Sequence, residues 1–169
     1  MKKYWYKTAM LVMALGVFTA CSDDDGPKIP EGPIALVNGA YVINTGNWNE
    51  NNGTIQWYDR DLKTVSADLF AAANGAGIGD AQDLCVYGTK IYITCSSSAK
   101  IEIVDRKDFK RIKTLNLTNE SGQPIQPRYM TAAKGNIYFT AYDGTVSQID
   151  TTSLSITKKI EVGGSHPEA

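Results

Sequence analysis

One tryptophan stands among four asparagines and a glutamate in the segment Asn47-Trp48-Asn49-Glu50-Asn51-Asn52. An indole offers a rigid stacking surface at low entropic cost, and amides both donate and accept hydrogen bonds. Such a segment suits a flat, partly apolar ligand edged with polar groups. The competing reading is that Trp48 tucks back onto the fold and the asparagines only make turns. Further along the chain, three short stretches add polar and aromatic groups: Asp80 with Gln82, then Gln126, Arg128 and Tyr129, then His166 and Glu168. Tyr142 lies in a Gly/Asp-marked joint between two β-rich runs. The expected ligand-binding set is therefore Asn47, Trp48, Asn49, Asn51, Asp80, Gln82, Arg128, Tyr129, Tyr142 and His166.

The same inventory argues against several other chemistries. His166 is the single histidine, so no multi-histidine metal site is expected and none is assigned. A hydrolase or lyase site needs convergent carboxylates with a metal, or histidines. Asp80, Asp83, Asp143 and Glu168 show no such spacing. No catalytic residue and no cofactor is assigned, and the chain is read as a binder, not an enzyme. The net charge is −1 with 17 Lys and Arg, and no basic cluster follows the first residues, which excludes a nucleic-acid partner. Cys85 and Cys95 either pair or stay apart as strand thiols. Register decides between these, and register is not visible in a sequence.

What must position these residues is a repeat. Ala40-Tyr41-Val42-Ile43 is followed by Gly53–Asp59; Ile91-Tyr92-Ile93-Thr94 by Lys100–Asp105; and Ile137-Tyr138-Phe139-Thr140 by Gly144–Asp150. The closing aspartates, 59, 105 and 150, are 46 and then 45 residues apart. Tyr, Ile, Val, Phe and Thr dominate the runs, as a pleated surface favours, and Gly and Asp mark the joints. In the third unit the spacing predicts strands over 129–133, 136–141, 145–150 and 155–162. The aspartate ending each third strand is expected to cap the following turn. Residues 68–79 are glycine-rich and read as an irregular loop rather than a helical turn.

Four strands at a period of 40 to 50 residues is the pattern of a β-propeller blade, and a sandwich would not repeat one frame at such constant spacing. The expected fold is all-β, with blades of four antiparallel strands over about 34–75, 80–120 and 126–163, and a fourth beginning at 165–169. Three blades do not close a ring, so the chain is expected to be the N-terminal part of a longer protein; self-assembly is the alternative. In a propeller, the loops between second and third strands meet the connections between blades at one end, where function concentrates. The Trp48 loop is one of these. From Tyr to Asp the first unit spans 18 residues, against 13 and 12 in its sisters, and the surplus falls in that loop.

The N-terminus sets a location. Lys2, Lys3 and Lys7 precede an apolar run over 8–20, too short to cross a bilayer, and small residues lead to Cys21. This resembles a lipoprotein signal with Cys21 as the lipidated residue, and Ser22-Asp23-Asp24-Asp25 resembles the Bacteroidetes surface-export run. Residues 1–20 are read as signal peptide and 21–33 as an acidic, Pro/Gly-rich tether to the outer membrane. The repeats resemble YncE-like, surface-layer-type seven-bladed propellers. Together with the leader, the segments INTGNWNENNGTI and GDAQDL resemble cobalamin-capturing surface lipoproteins of the BtuG type. That resemblance implies cobalamin or another corrinoid as ligand and a TonB-dependent transporter as partner. A glycan or other nutrient receptor suits Trp with Asn and Asp equally, and a protein-docking platform is a third class.

Overall fold

The computed structural model describes residues 38–167; the expected signal peptide, Cys21, the expected tether and Glu168 lie outside them. Three antiparallel sheets follow one another. The first contains β1 (Gly39–Asn44), β2 (Thr54–Asp59) and β3 (Thr64–Val65) in that order. After helix α1 (Leu69–Asn74), the second runs β4 (Ala81–Tyr87), β5 (Lys90–Cys95), β6 (Lys100–Asp105) and β7 (Arg111–Asn116). The third runs β8 (Pro127–Ala133), β9 (Asn136–Ala141), β10 (Thr145–Asp150) and β11 (Ser155–Glu161). Among the described residues the first sheet thus shows three strands rather than the expected four.

The alternation of side chains decides how the sheets stack. On β5, Ile91, Ile93 and Cys95 enter a cluster with Ile55, Phe70 and Ile78, while Tyr92 between them enters a second cluster with Ile137, Phe139 and Ile149. On β6, Val104 belongs to the first cluster and Ile101 and Ile103 to the second. The middle sheet is therefore buried on both faces, which is why its strands read as nearly continuous apolar runs. The leading strands β4 and β8 lie against each other, so the sheets fan out from their first strands.

Each unit turns at its aspartate. Asp59 Oδ1 accepts from the amides of Asp61 and Leu62, Asp105 Oδ1 from Lys107, and Asp150 Oδ1 from Thr152 and Ser153. Four residues past each aspartate the backbone is left-handed, at Lys63 (φ 53°), Phe109 (φ 61°) and Leu154 (φ 52°). The sequence period is thus a repeated turn geometry.

Residues 68–79 depart from the expected loop. Asp68 caps α1 by accepting from Phe70 N at 3.1 Å, and Gly75, left-handed at φ 65°, closes it. A capping acid, Leu69-Phe70-Ala71-Ala72-Ala73 and a glycine stop are a complete helix signal over a short span. The flanking glycines masked it. The helix exists because Leu69 and Phe70 are buried in the cluster shared by the first and second sheets. Cys85 and Cys95 are free thiols. Cys85 stands opposite Tyr92 and Cys95 opposite Ala81, and their side chains join different clusters on opposite faces of the sheet.

Candidate functional site

The Trp48 loop is knit from within. Asn52 Oδ1 accepts from Asn47 N at 2.8 Å, and Glu50 Oε2 accepts from Asn47 Nδ2 at 2.8 Å and Asn52 Nδ2 at 3.1 Å. Asn49 and Asn51 occupy left-handed backbone at φ 64° and 52°, a region asparagine tolerates better than most residues. A Cβ at Gly46 would lie 2.1 Å from Asn52 Oδ1, so this corner requires glycine. Asn47 and Asn52 thus make turns, as the plainer reading held. Trp48 does not tuck back: it is 53% exposed.

The loop is pinned to the second sheet. Gly53 N donates to Gly79 O at 2.8 Å. Asp80 is fully buried, and its carboxylate accepts from Ser97 N at 2.5 Å, Ser98 N at 2.9 Å and Ser98 Oγ at 2.7 Å. Asn51 Oδ1 stands 2.6 Å from the same Ser98 hydroxyl. The Ser98 hydroxyl thus lies within hydrogen-bond distance of both Asn51 Oδ1 and the Asp80 carboxylate. Burial alone would raise the Asp80 carboxyl, but the Ser98 and Ser97 bonds outweigh it and hold it below its ordinary value. Asp80 therefore positions loops and is not open to a ligand, a correction to its expected role.

Four other expected residues come together in one stack. The Arg128 guanidinium lies over the Tyr129 ring at 5.1 Å and over the Tyr142 ring at 5.0 Å. The His166 ring sits 4.5 Å from Tyr142. A strand bulge places Arg128 and Tyr129, while Tyr142 follows β9 and His166 follows β11. Register slips between Pro127 and Met130, and in the second sheet between Ala81 and Asp83, which places Gln82 in the matching bulge. Side chains of the neighbouring sheet hold the Arg128 bulge: the Ser96 hydroxyl donates to Pro127 O, Thr94 Oγ1 to Arg128 O at 2.7 Å, and Asp83 Oδ2 accepts from Met130 N at 2.7 Å. Thr94, Ser96 and Asp83 were not expected at the site. They lie 31 to 47 residues away in sequence, so nothing local marks them.

An apolar hollow of about 120 Å³ opens beside Tyr129, lined by Met130, Tyr138, Thr140 and Val146. A hydrogen-bonded path joins the two parts of the site, from Asn51 through Ser98 and Asp80 to Ser96 and the Arg128 bulge. The arrangement combines an exposed indole, a cation held between two phenol rings, and an apolar hollow. It can stack on a planar ligand and meet its polar edge.

Neither a protein-family profile nor a curated protein matches the sequence. Solved structures do. The dihydro-heme d1 dehydrogenase NirN superposes with a TM-score of 0.55 at 13% identity, over 75% of this chain and 26% of that one. Apo AztD from Citrobacter koseri superposes at 0.50 and 19% identity, over 82% and 37%, and a europium-containing methanol dehydrogenase at 0.50 and 14%, over 78% and 25%. The chain thus spans about a quarter to two fifths of the structures it matches. These are β-propeller proteins, and the three fanned antiparallel sheets are successive blades of a β-propeller.

Proposed function

We propose that this propeller is a surface-exposed outer-membrane lipoprotein, anchored through Cys21, that captures a scarce flat ligand. Cobalamin or a related corrinoid is the ligand class, and a TonB-dependent transporter receives it. The observation that carries the reading is the Tyr129–Arg128–Tyr142–His166 stack, on the end of the fold where Trp48 is also presented. Rigid rings offer a large surface for a macrocycle at little entropic cost, and Arg128, Gln82 and Asn49 offer polar contacts for amide side chains at its edge. The leader and the acidic run Ser22-Asp23-Asp24-Asp25 support the location. Calorimetric titration with cyanocobalamin tests the function. Saturable heat at micromolar concentration is expected, and its absence overturns the corrinoid reading.

A further inference from the structure

Three hydroxyls at the end of β5 hold two other sheets at once. Thr94 and Ser96 are fully buried. Thr94 Oγ1 donates to Arg128 O at 2.7 Å and the Ser96 hydroxyl donates to Pro127 O, so both fix the bulge of the third sheet. Two residues further on, Ser98 Oγ stands 2.6 Å from Asn51 Oδ1 in the Trp48 loop of the first sheet. One short segment, 94–98, thus touches both ring-bearing parts of the site. The segment is itself held firmly. Ala99 N donates to Ser96 O at 2.9 Å and closes the turn. The buried Asp80 carboxylate accepts from the amides of Ser97 and Ser98 and stands 2.7 Å from Ser98 Oγ. A Cβ at Gly79 would lie 2.5 Å from Ser98 Oγ, so the chain entering β4 and this turn meet at closest approach.

Trp48 depends on such support. It is 53% exposed, so its place is set by the loop that carries it more than by packing around its ring. The base of that loop is held where Gly53 N donates to Gly79 O at 2.8 Å. Nearer the tip it is held at Asn51, three residues from Trp48. A flat ligand that stacks on Trp48 and also reaches the Arg128 rings must match the separation between them, and a site held in advance at that separation loses less freedom on binding. We propose that the 94–98 segment sets the span between Trp48 and the Arg128 stack, and that Ser98 is the positioning residue that tunes the site to ligands wide enough to touch both. The proposal rests on the reading of this face as a receptor for a flat ligand.

Two measurements on the mature protein separate this inference from the ligand assignment. Nitrogen-15 relaxation without ligand reads the loop directly. The Trp48 amide should be as ordered as the blade strands, with an order parameter of about 0.85. Ser98→Ala should lower it toward about 0.6, while the strand amides stay as they are. Calorimetric titration with cyanocobalamin reads the consequence. Ser98→Ala should weaken affinity about threefold to tenfold, the worth of one hydrogen bond. In a Trp48→Ala background the same change should cost nothing more, because its effect passes through Trp48. A Trp48 loop that stays ordered in Ser98→Ala, or a full further loss of affinity in the Trp48→Ala background, would overturn the proposal. Absence of cyanocobalamin binding together with a loop loosened by Ser98→Ala would refute the corrinoid reading and leave the positioning role of Ser98 standing.

Discussion

Trp48 and Arg128 are both ring-stacking groups, but their environments differ. Trp48 stands 53% exposed on a loop whose turns are made by its neighbours, so truncating it leaves the loop standing. Trp48→Ala should weaken corrinoid binding by about 1–3 kcal/mol with an unchanged melting temperature, read by calorimetric titration alongside thermal melts. Tight binding unaffected by this change would keep the function and move the site to the stack alone. Arg128→Lys puts a compact charge where a planar guanidinium lies between Tyr129 and Tyr142. It should cost about 1 kcal/mol of affinity although the charge is kept; equal affinity would show that only the charge matters.

At the scale of elements, α1 is the part most exposed to a single change. Asp68 Oδ1 accepts from Phe70 N at the helix start and from Ile55 N on β2, at 3.2 Å, so one carboxylate ties the helix to the first sheet. Asp68→Ala should lower stability by about 1–2 kcal/mol, the range for a lost N-cap, measured by urea denaturation. Asp68→Asn should recover much of it, because an amide oxygen still accepts. The aromatic packing of the first sheet also ranks its two neighbouring rings. Trp57 meets Tyr41 edge-on at 5.1 Å, whereas Tyr58 is 36% exposed on the other face. Truncation of Trp57 therefore weighs more heavily on the fold than truncation of Tyr58.

Across the whole molecule, two buried carboxylates make stability depend on pH. Glu102 is 1% exposed and bonds to Lys100 Nζ at 2.9 Å, Arg111 Nε at 2.9 Å and Thr114 Oγ1 at 2.8 Å. Burial pushes its carboxyl up, but these partners together hold it below its ordinary value, as Asp80 is held by its serines. The unfolded chain then takes up protons first as pH falls. The stabilisation is complete above the unfolded carboxylate range, near pH 4, and is lost as pH drops through the lower folded-state values. Urea midpoints should be level from neutral pH to about 5 and fall steeply below 4, and Glu102→Gln should flatten that fall. Location is tested on the same scale. Protease added to intact cells should remove the protein, while Ala at 23–25 should leave it lipidated and protected; protection of the unaltered protein would refute surface exposure.

Much of the frame was written locally. The strands of the third unit fall within two residues of where β-propensity and Gly/Asp joints put them, because such turns are formed by residues one to four places apart. Asp59, Asp105 and Asp150 repeat because one side chain caps its own turn, whatever surrounds it. The insertion carrying Trp48 was equally plain from repeat lengths. What the sequence could not carry was register. A one-residue slip turns a side chain to the other face, and that choice separated Cys85 from Cys95 and aimed Arg128 between two tyrosines. It also buried Asp80 beneath two loops instead of offering it to a ligand. These outcomes rest on Thr94, Ser96 and Asp83, residues brought from distant positions to hold a bulge. Only the packing of one sheet on the next brings them there.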